Sequence, residues 1–159
     1  MSRLPDSVPA TLAALRRLLL FTLLIGTIGM GTELLFIGHV EGAFQLTPVA
    51  LLAAGFFVTC WCAVVPGRVA ARAVQALMIL FLISGLLGVG LHVRGNVEFA
   101  RETYPDMSRA ELVRRTVTGA TPVLAPGSML LLGLVGLAFM YHHPSLAAGG
   151  GHHDEERSS

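Results

Sequence analysis

The stretch "LLLFTLLIGTIGMGTELLFI", residues 18–37, decides how this chain folds. Glu33 is the only charged side chain in it. A helix of roughly 20 mostly apolar residues, rising about 1.5 Å per residue, crosses the roughly 30 Å of hydrocarbon in a lipid bilayer. The stretch therefore predicts a membrane-spanning helix.

Three further apolar stretches have the length and composition of a span: residues 46–65, 74–91 and 123–141. The first three spans are joined by the short connections "GHVEGAFQ" and "PGRVAARA", and short connections join antiparallel neighbours. We predict an all-α fold, an integral membrane four-helix up-and-down bundle formed by residues 1–144, with an extramembrane loop at 92–122. Residues 145–159, which end in "GGGHHDEERSS", are predicted to be a disordered, His-rich polar tail.

The composition agrees with this fold class and excludes others. Hydrophobic residues make up 53% of the 159 residues and charged residues only 13%, which is too apolar for a soluble domain of this size. The net charge of +1 provides no concentrated basic face, so nucleic acid is excluded as a partner. The expected surroundings are the lipid bilayer.

The arginines predict an orientation. All eleven basic residues are Arg, a bias typical of a GC-rich bacterial genome, and six fall on the side of the termini against five on the other. Arg16, Arg17, Arg68 and Arg72 lie close to span ends in short segments, where basic residues mark the cytoplasmic side. We therefore expect a multi-pass protein of the bacterial plasma (inner) membrane with both termini in the cytoplasm.

Small residues indicate where the helices approach one another, because helix association in lipid depends on close backbone contact. The candidates in the four spans are Gly26, Gly29, Gly31, Ala50, Ala53, Ala54, Gly85, Gly88, Gly90, Gly133 and Gly136. Trp61 and Tyr141 fall near span ends, where aromatic side chains anchor helices at the interface.

The segment "SRAELVRRTVTG", residues 108–119, predicts a short amphipathic helix inside the long loop. Ser108 and Glu111 have the spacing of a capping box, and Gly119 stands where a helix commonly ends. Leu112, Val113, Thr116 and Val117 fall on one predicted face. Two interpretations stay open: a helix lying on anionic lipid headgroups, or a solvated helix that caps the bundle.

Two similar pentapeptides follow the odd-numbered spans: "GHVEG" at 38–42 and "LHVRG" at 91–95. Because spans one and three run in the same direction, their ends reach the same membrane surface. The residues predicted to form a polar cluster on this outer face are His39, Glu41, His92, Arg94 and Glu98. Arg94 and Glu98 are spaced for an ion pair if the third helix extends past the membrane, unless Gly95 ends it first.

Several uses of these polar residues are open. The favoured one is a structural network in which the charges neutralise one another. We predict no cofactor, since H-x-E lacks a strong metal-ligand spacing, but a metal ion or a haem bound by His39 and His92 remains an alternative. Glu33 lies inside the first span, where an acid is either a functional coupling group or a residue that pairs near the surface.

The sequence contains no specific Ser-His-Asp, phosphate-loop or Cys-His motif, so we do not predict an enzyme. The first functional hypothesis is a non-enzymatic accessory or assembly component that binds a membrane-protein partner. The alternative is a small homo-oligomeric transporter or proton-coupled carrier, with Glu33 as its coupling acid and the His39 and His92 layer as its gate.

The motifs "LHVRGNVEF", "TGATPVLAPG" and "GLVGLAFMYHHP" resemble those of an uncharacterised family of small bacterial four-span inner-membrane proteins. The resemblance runs from the first span to Pro144. It implies four membrane spans, and it assigns no catalytic or binding residue because the family has no assigned activity.

Overall fold

The computed structural model describes residues 7–38, 41–119 and 125–147, and the regular structure within them is helical. The helices are α1 (Ser7–Phe36), α2 (Ala43–Val64), α3 (Arg68–Thr103), α4 (Arg109–Val117), α5 (Gly127–Met140) and α6 (Pro144–Ala147). The all-α prediction is confirmed for these residues. Most of the predicted tail, residues 148–159, lies outside the described part of the chain, as does His39.

Three helices are long and apolar enough to cross a membrane, namely α1, α2 and α3. The prediction of a membrane protein is thereby confirmed. Helix α5 is also apolar but has 14 residues, about 21 Å of helix, which is shorter than a usual span. It begins at Gly127, whereas the predicted fourth span began at residue 123, a position outside the described residues.

The four apolar helices form a ring in which α1 packs on α2, α2 on α3, α3 on α5, and α5 on α1. Helices α1 and α3 are therefore diagonal partners. Helix α5 runs antiparallel to α3, since Pro126 lies beside Gly88 and Gly133 lies beside Met78. It also runs antiparallel to α1, whose Arg16 donates to the backbone oxygen of His142 at 2.8 Å.

The bundle is apolar both inside and outside. Its buried core includes Leu23, Leu52, Val74, Met78, Phe81, Leu132, Phe139 and Met140. Large apolar side chains also cover the outer surface, for example Phe21, Leu86 and Leu134, each more than half exposed. Soluble monomers rarely expose apolar surface on this scale, whereas lipid-facing helices require it.

Only some of the predicted small residues lie at helix contacts. A Cβ atom would meet a neighbouring helix at less than 3.0 Å at Gly26, Gly85, Gly88, Gly133 and Gly136, but would meet nothing within 4 Å at Gly29, Gly31 and Gly90. In α2 the close contact is Gly55 against the ring of Phe81, whereas Ala50 and Ala53 are exposed. The prediction is thus correct for five of the glycines and fails where a glycine faces outward.

Helix α3 is much longer than the predicted span at 74–91. The 21 residues between Arg72 and Arg94 contain no Asp, Glu, Lys or Arg and cover about 32 Å, which matches the hydrocarbon thickness. Beyond them, the helix continues for about 15 Å, to Thr103. It passes through Gly95 because Arg94 and Glu98 pair across this position and because Asn96 is buried against α4.

Candidate functional site

Residues 92–119, which we call the headpiece, comprise the end of α3 and the short helix α4. The predicted α4 is confirmed, and so is its N-cap: the Ser108 hydroxyl accepts a hydrogen bond from the backbone N–H of Glu111 at 3.2 Å. Glu111 lies in the first turn, and Arg114 and Arg115 lie in the last turn. This order of charges complements the helix dipole and stabilises a helix of only nine residues.

A buried asparagine fixes α4 to α3. The side chain of Asn96 is 3% exposed, and its Nδ2 donates to the backbone oxygen of Thr116 at 2.9 Å. The chain leaves α4 so close to α3 that a Cβ on Gly119 would lie 2.7 Å from Cγ of Asn96. Since a buried amide is costly unless it is hydrogen-bonded, Asn96 selects this docked arrangement of α4.

Charged and aromatic side chains form a second contact. The guanidinium of Arg115 lies over the ring of Tyr104, 3.8 Å from its centroid, and also donates to Glu111 at 2.7 Å. Arg114 donates to the same carboxylate through two nitrogens. These bonds lower the pKa of Glu111 to about 2, with Arg114 as the largest favourable cause. Glu111 is therefore ionised at neutral pH and ties α4 together.

An open depression of about 380 Å³ lies where α3 turns toward α4. Its lining consists of Thr103, Tyr104, Pro105, Asp106, Met107, Glu111 and Arg115. It offers an aromatic ring, two carboxylates and a guanidinium at the surface. Such a lining suits recognition of another molecule.

The apolar face predicted for α4 is divided between two environments. Leu112 and Thr116 are partly buried, whereas Val113 and Val117 are 64% and 61% exposed. Helix α4 therefore presents an apolar strip that the bundle does not cover.

The structure describes four of the five residues predicted for the outer-face cluster, namely Glu41, His92, Arg94 and Glu98. Arg94 and Glu98 make an ion pair of 2.7 Å, with side chains 75% and 57% exposed. Glu41 has an exposed side chain, and its backbone N–H donates to the Gln45 side chain at 2.9 Å. His92 is partly buried on α3. Among the described residues, the ion pairs do not include Glu41. The sequence leaves open whether His39 and His92 are close, and His39 lies outside the described part of the chain.

Glu33 is exposed on α1, so a carrier that used it would need a second copy of the chain to enclose a path. Within the described residues, no group of three or more His, Cys, Asp or Glu side chains is arranged to hold a metal ion. His39, His152 and His153 lie outside these residues. The carrier, metal and haem alternatives stay predictions.

Sequence reasoning missed Asn96, Tyr104 and the contact between Tyr104 and Arg115. No short spacing in the sequence connects Asn96 with Thr116, which lies 20 positions further along the chain. The chain matches no known family model, no curated protein and no solved structure. The resemblance to the uncharacterised four-span family therefore stays a prediction.

Proposed function

We propose that this protein is a non-enzymatic accessory or assembly component of the membrane, and that its headpiece binds a membrane-protein partner. The observation that carries the proposal is the extension of α3 beyond its apolar segment, with α4 held on it by Asn96 and Arg115. A small chain that keeps an ordered structure outside the bilayer displays a surface there.

The headpiece has the properties of a binding surface. Its bonds fix the geometry in advance, which reduces the entropy lost on association. Its exposed side chains include Phe99, Tyr104 and Val113, which are 56%, 43% and 64% exposed. Aromatic side chains beside an arginine are the residues that most often dominate binding energy.

We also propose that α5 is a fourth span, and that the arginine-rich end of the bundle lies in the cytoplasm of a bacterial plasma membrane. The antiparallel packing of α5 between α3 and α1 supports four spans. Arg16, Arg17, Arg68 and Arg72 at one end support the orientation.

Cysteine labelling tests the topology. In a chain carrying Cys60→Ala and Cys62→Ala, we expect a membrane-impermeant maleimide applied to intact cells to label Asp106→Cys in the headpiece. We expect it to spare Ser145→Cys, which follows α5, until the membrane is opened. Labelling of both positions in intact cells would contradict the four-span topology.

Site-specific photo-crosslinking tests the partner. A crosslinking residue at Val113 is expected to give one discrete product of higher mass in native membranes, and the additional change Asn96→Ala is expected to lower its yield several-fold. Val69, 73% exposed at the other end of the bundle, is the matched control position. The same products from both positions, or a yield that Asn96→Ala leaves unchanged, would contradict a specific headpiece partner.

A further inference from the structure

A second cavity lies at the opposite end of the bundle, which we call the arginine end because it carries Arg16, Arg17, Arg68 and Arg72. The cavity has a volume of about 180 Å³ and lies between the ends of α1, α2 and α5. Arg16, Arg17 and His143 line it together with the apolar side chains of Leu20, Cys62 and Phe139. It thus joins basic groups to an apolar wall.

Arg16 and Arg17, the two arginines that line the cavity, make no ion pair with a carboxylate of the described residues. The arginine end comprises residues 7–20, 60–75 and 137–147, and these contain four arginines and no Asp or Glu. One nitrogen of Arg16 donates to the backbone oxygen of His142 at 2.8 Å, which leaves further donors on the same guanidinium. The charges of Arg16 and Arg17 at the cavity therefore suit an anionic ligand.

His143 adds a neutral donor. Its Nδ1 accepts a hydrogen bond from the backbone N–H of Ser145 at 3.3 Å, so the proton of the neutral ring is on Nε2. Burial, followed by the charge of Arg16, lowers the pKa of His143, and the ring is therefore neutral at pH 7. An imidazole N–H and two guanidinium groups together suit an oxyanion such as a phosphate group.

The apolar wall and the position of the cavity indicate which phosphate compound fits. Trp61 and Tyr141, 44% and 73% exposed, lie at the same end, and such aromatic side chains mark the headgroup layer. The cavity is smaller than the about 300–1,000 Å³ of sites that enclose a whole drug-sized ligand. It has room for a headgroup whose acyl chains remain in the bilayer.

We propose that this cavity binds the headgroup of one anionic phospholipid from the adjacent leaflet. Arg16, Arg17 and the Nε2–H of His143 hold the phosphate, and Leu20 and Phe139 contact the glycerol and the first carbons of the chains. Basic pockets between helix ends commonly bind anionic lipids in this way.

Native mass spectrometry of the full chain in mild detergent tests the site, with phosphatidylglycerol and phosphatidylcholine as the probes. We expect one bound phosphatidylglycerol, and we expect Arg17→Gln to weaken this binding about tenfold, as the loss of one charge-assisted hydrogen bond implies. Arg72→Gln is the matched control, since it removes the same charge from the same end of the bundle outside the cavity. It should change the affinity less than about twofold, because surface charges outside the site contribute little in salt.

Three results would overturn the proposal. Equal losses of affinity for phosphatidylglycerol in Arg17→Gln and Arg72→Gln would mean that the lipid is attracted to the arginine end as a whole and does not bind in the cavity. Equal binding of phosphatidylcholine would mean that net charge is not recognised. Displacement of the lipid by millimolar inorganic phosphate would mean a site for free anions. Unchanged melting temperatures of both variants without lipid would show that the comparison concerns binding and not folding.

Discussion

The two ends of the bundle differ in how their charged side chains are paired. The headpiece contains both acids and arginines, and it pairs Arg94 with Glu98, and Glu111 with Arg114 and Arg115. The arginine end contains four arginines and, within its described residues, no carboxylate. Several charges of the headpiece therefore neutralise one another, whereas Arg16 and Arg17 at the arginine end make no ion pair with a carboxylate of the described residues. The difference explains why we assign a protein surface to the first and a lipid site to the second.

Helix α3 connects the two ends, since its first turn lies at the arginine end and its last turns form the headpiece. The helix is held in the middle by α5, where Gly85 of α3 lies against the backbone around Leu130 and Pro126. Changes in this shared core should affect both ends, and changes within one end should leave the other intact.

The largest effect is expected from Gly85→Val. A Cβ at this position would lie 2.9 Å from the backbone nitrogen of Leu130 and 3.0 Å from the backbone oxygen of Pro126, and neither atom can move without shifting α5. We expect a loss of about 1–3 kcal/mol or more in the free energy of unfolding. Thermal unfolding in detergent measures it, and both ends should lose structure together.

Gly90→Val is the matched control for that change. It lies on the same helix, and a Cβ there would meet nothing within 4 Å. The melting temperature should stay close to that of the wild type. Equal destabilisation by the two variants would mean that α5 does not pack on α3 as described.

A smaller and local effect is expected from Asn96→Ala. The change removes the hydrogen bond to the backbone oxygen of Thr116, which contributes about 1 kcal/mol net. Amide hydrogen exchange in α4 should become faster by a corresponding factor, while exchange in α1 and α5 stays unchanged. Gly95→Ala, at the neighbouring position with open space around it, should not accelerate exchange in α4. Faster amide hydrogen exchange at the arginine end as well would show that the two ends are not independent.

The apolar surroundings of a membrane protein explain which features of the fold can be predicted from the sequence. The apolar runs predict the three long apolar helices because a bilayer requires a fixed length of apolar helix. They do not reveal which glycine faces a neighbour, as Gly85 does, and which faces lipid, as Gly90 does, because both environments are apolar. The sequence therefore lacks the one-sided pattern that identifies the buried face of a helix in a soluble protein.

The sites were predictable only where they are local in sequence. The Ser108 cap and the pair of Arg94 and Glu98 depend on spacings of three and four residues, and the structure contains both. The cavity at the arginine end is lined by Arg16, Cys62 and His143 from three separate parts of the chain, and no short spacing connects them. The continuation of α3 past Gly95 likewise depends on Asn96 meeting Thr116, a contact between residues 20 positions apart.

The charge pairing in the headpiece is expected to appear in the titration of Glu111. Its pKa is about 2 in the folded protein instead of 4.5, so the stabilisation from this group is present above pH 4.5 and is lost as the pH falls toward 2. Arg114→Gln should raise the titration midpoint of Glu111, because Arg114 is the main cause of the lowered value. Side-chain carboxyl chemical shifts measure the midpoint. A midpoint that does not respond to Arg114→Gln would show that the carboxylate is not held by this arginine.

The smallest effect is expected at the arginine end, in the titration of His143. Burial is the main cause of its lowered pKa, and the charge of Arg16 is the second cause. Its unfolded form therefore takes up a proton first, and stability from this group is lost as the pH falls from 6.5 through the folded pKa. Arg16→Gln should raise the pKa of His143 only slightly, since burial persists, and imidazole chemical shifts measure the change.

Adding phosphatidylglycerol should raise the pKa of His143 in the wild type, because a nearby anion favours the protonated ring. If the pKa of His143 responds to Arg16→Gln but not to phosphatidylglycerol, Arg16 acts on His143 as described but the cavity does not bind this lipid.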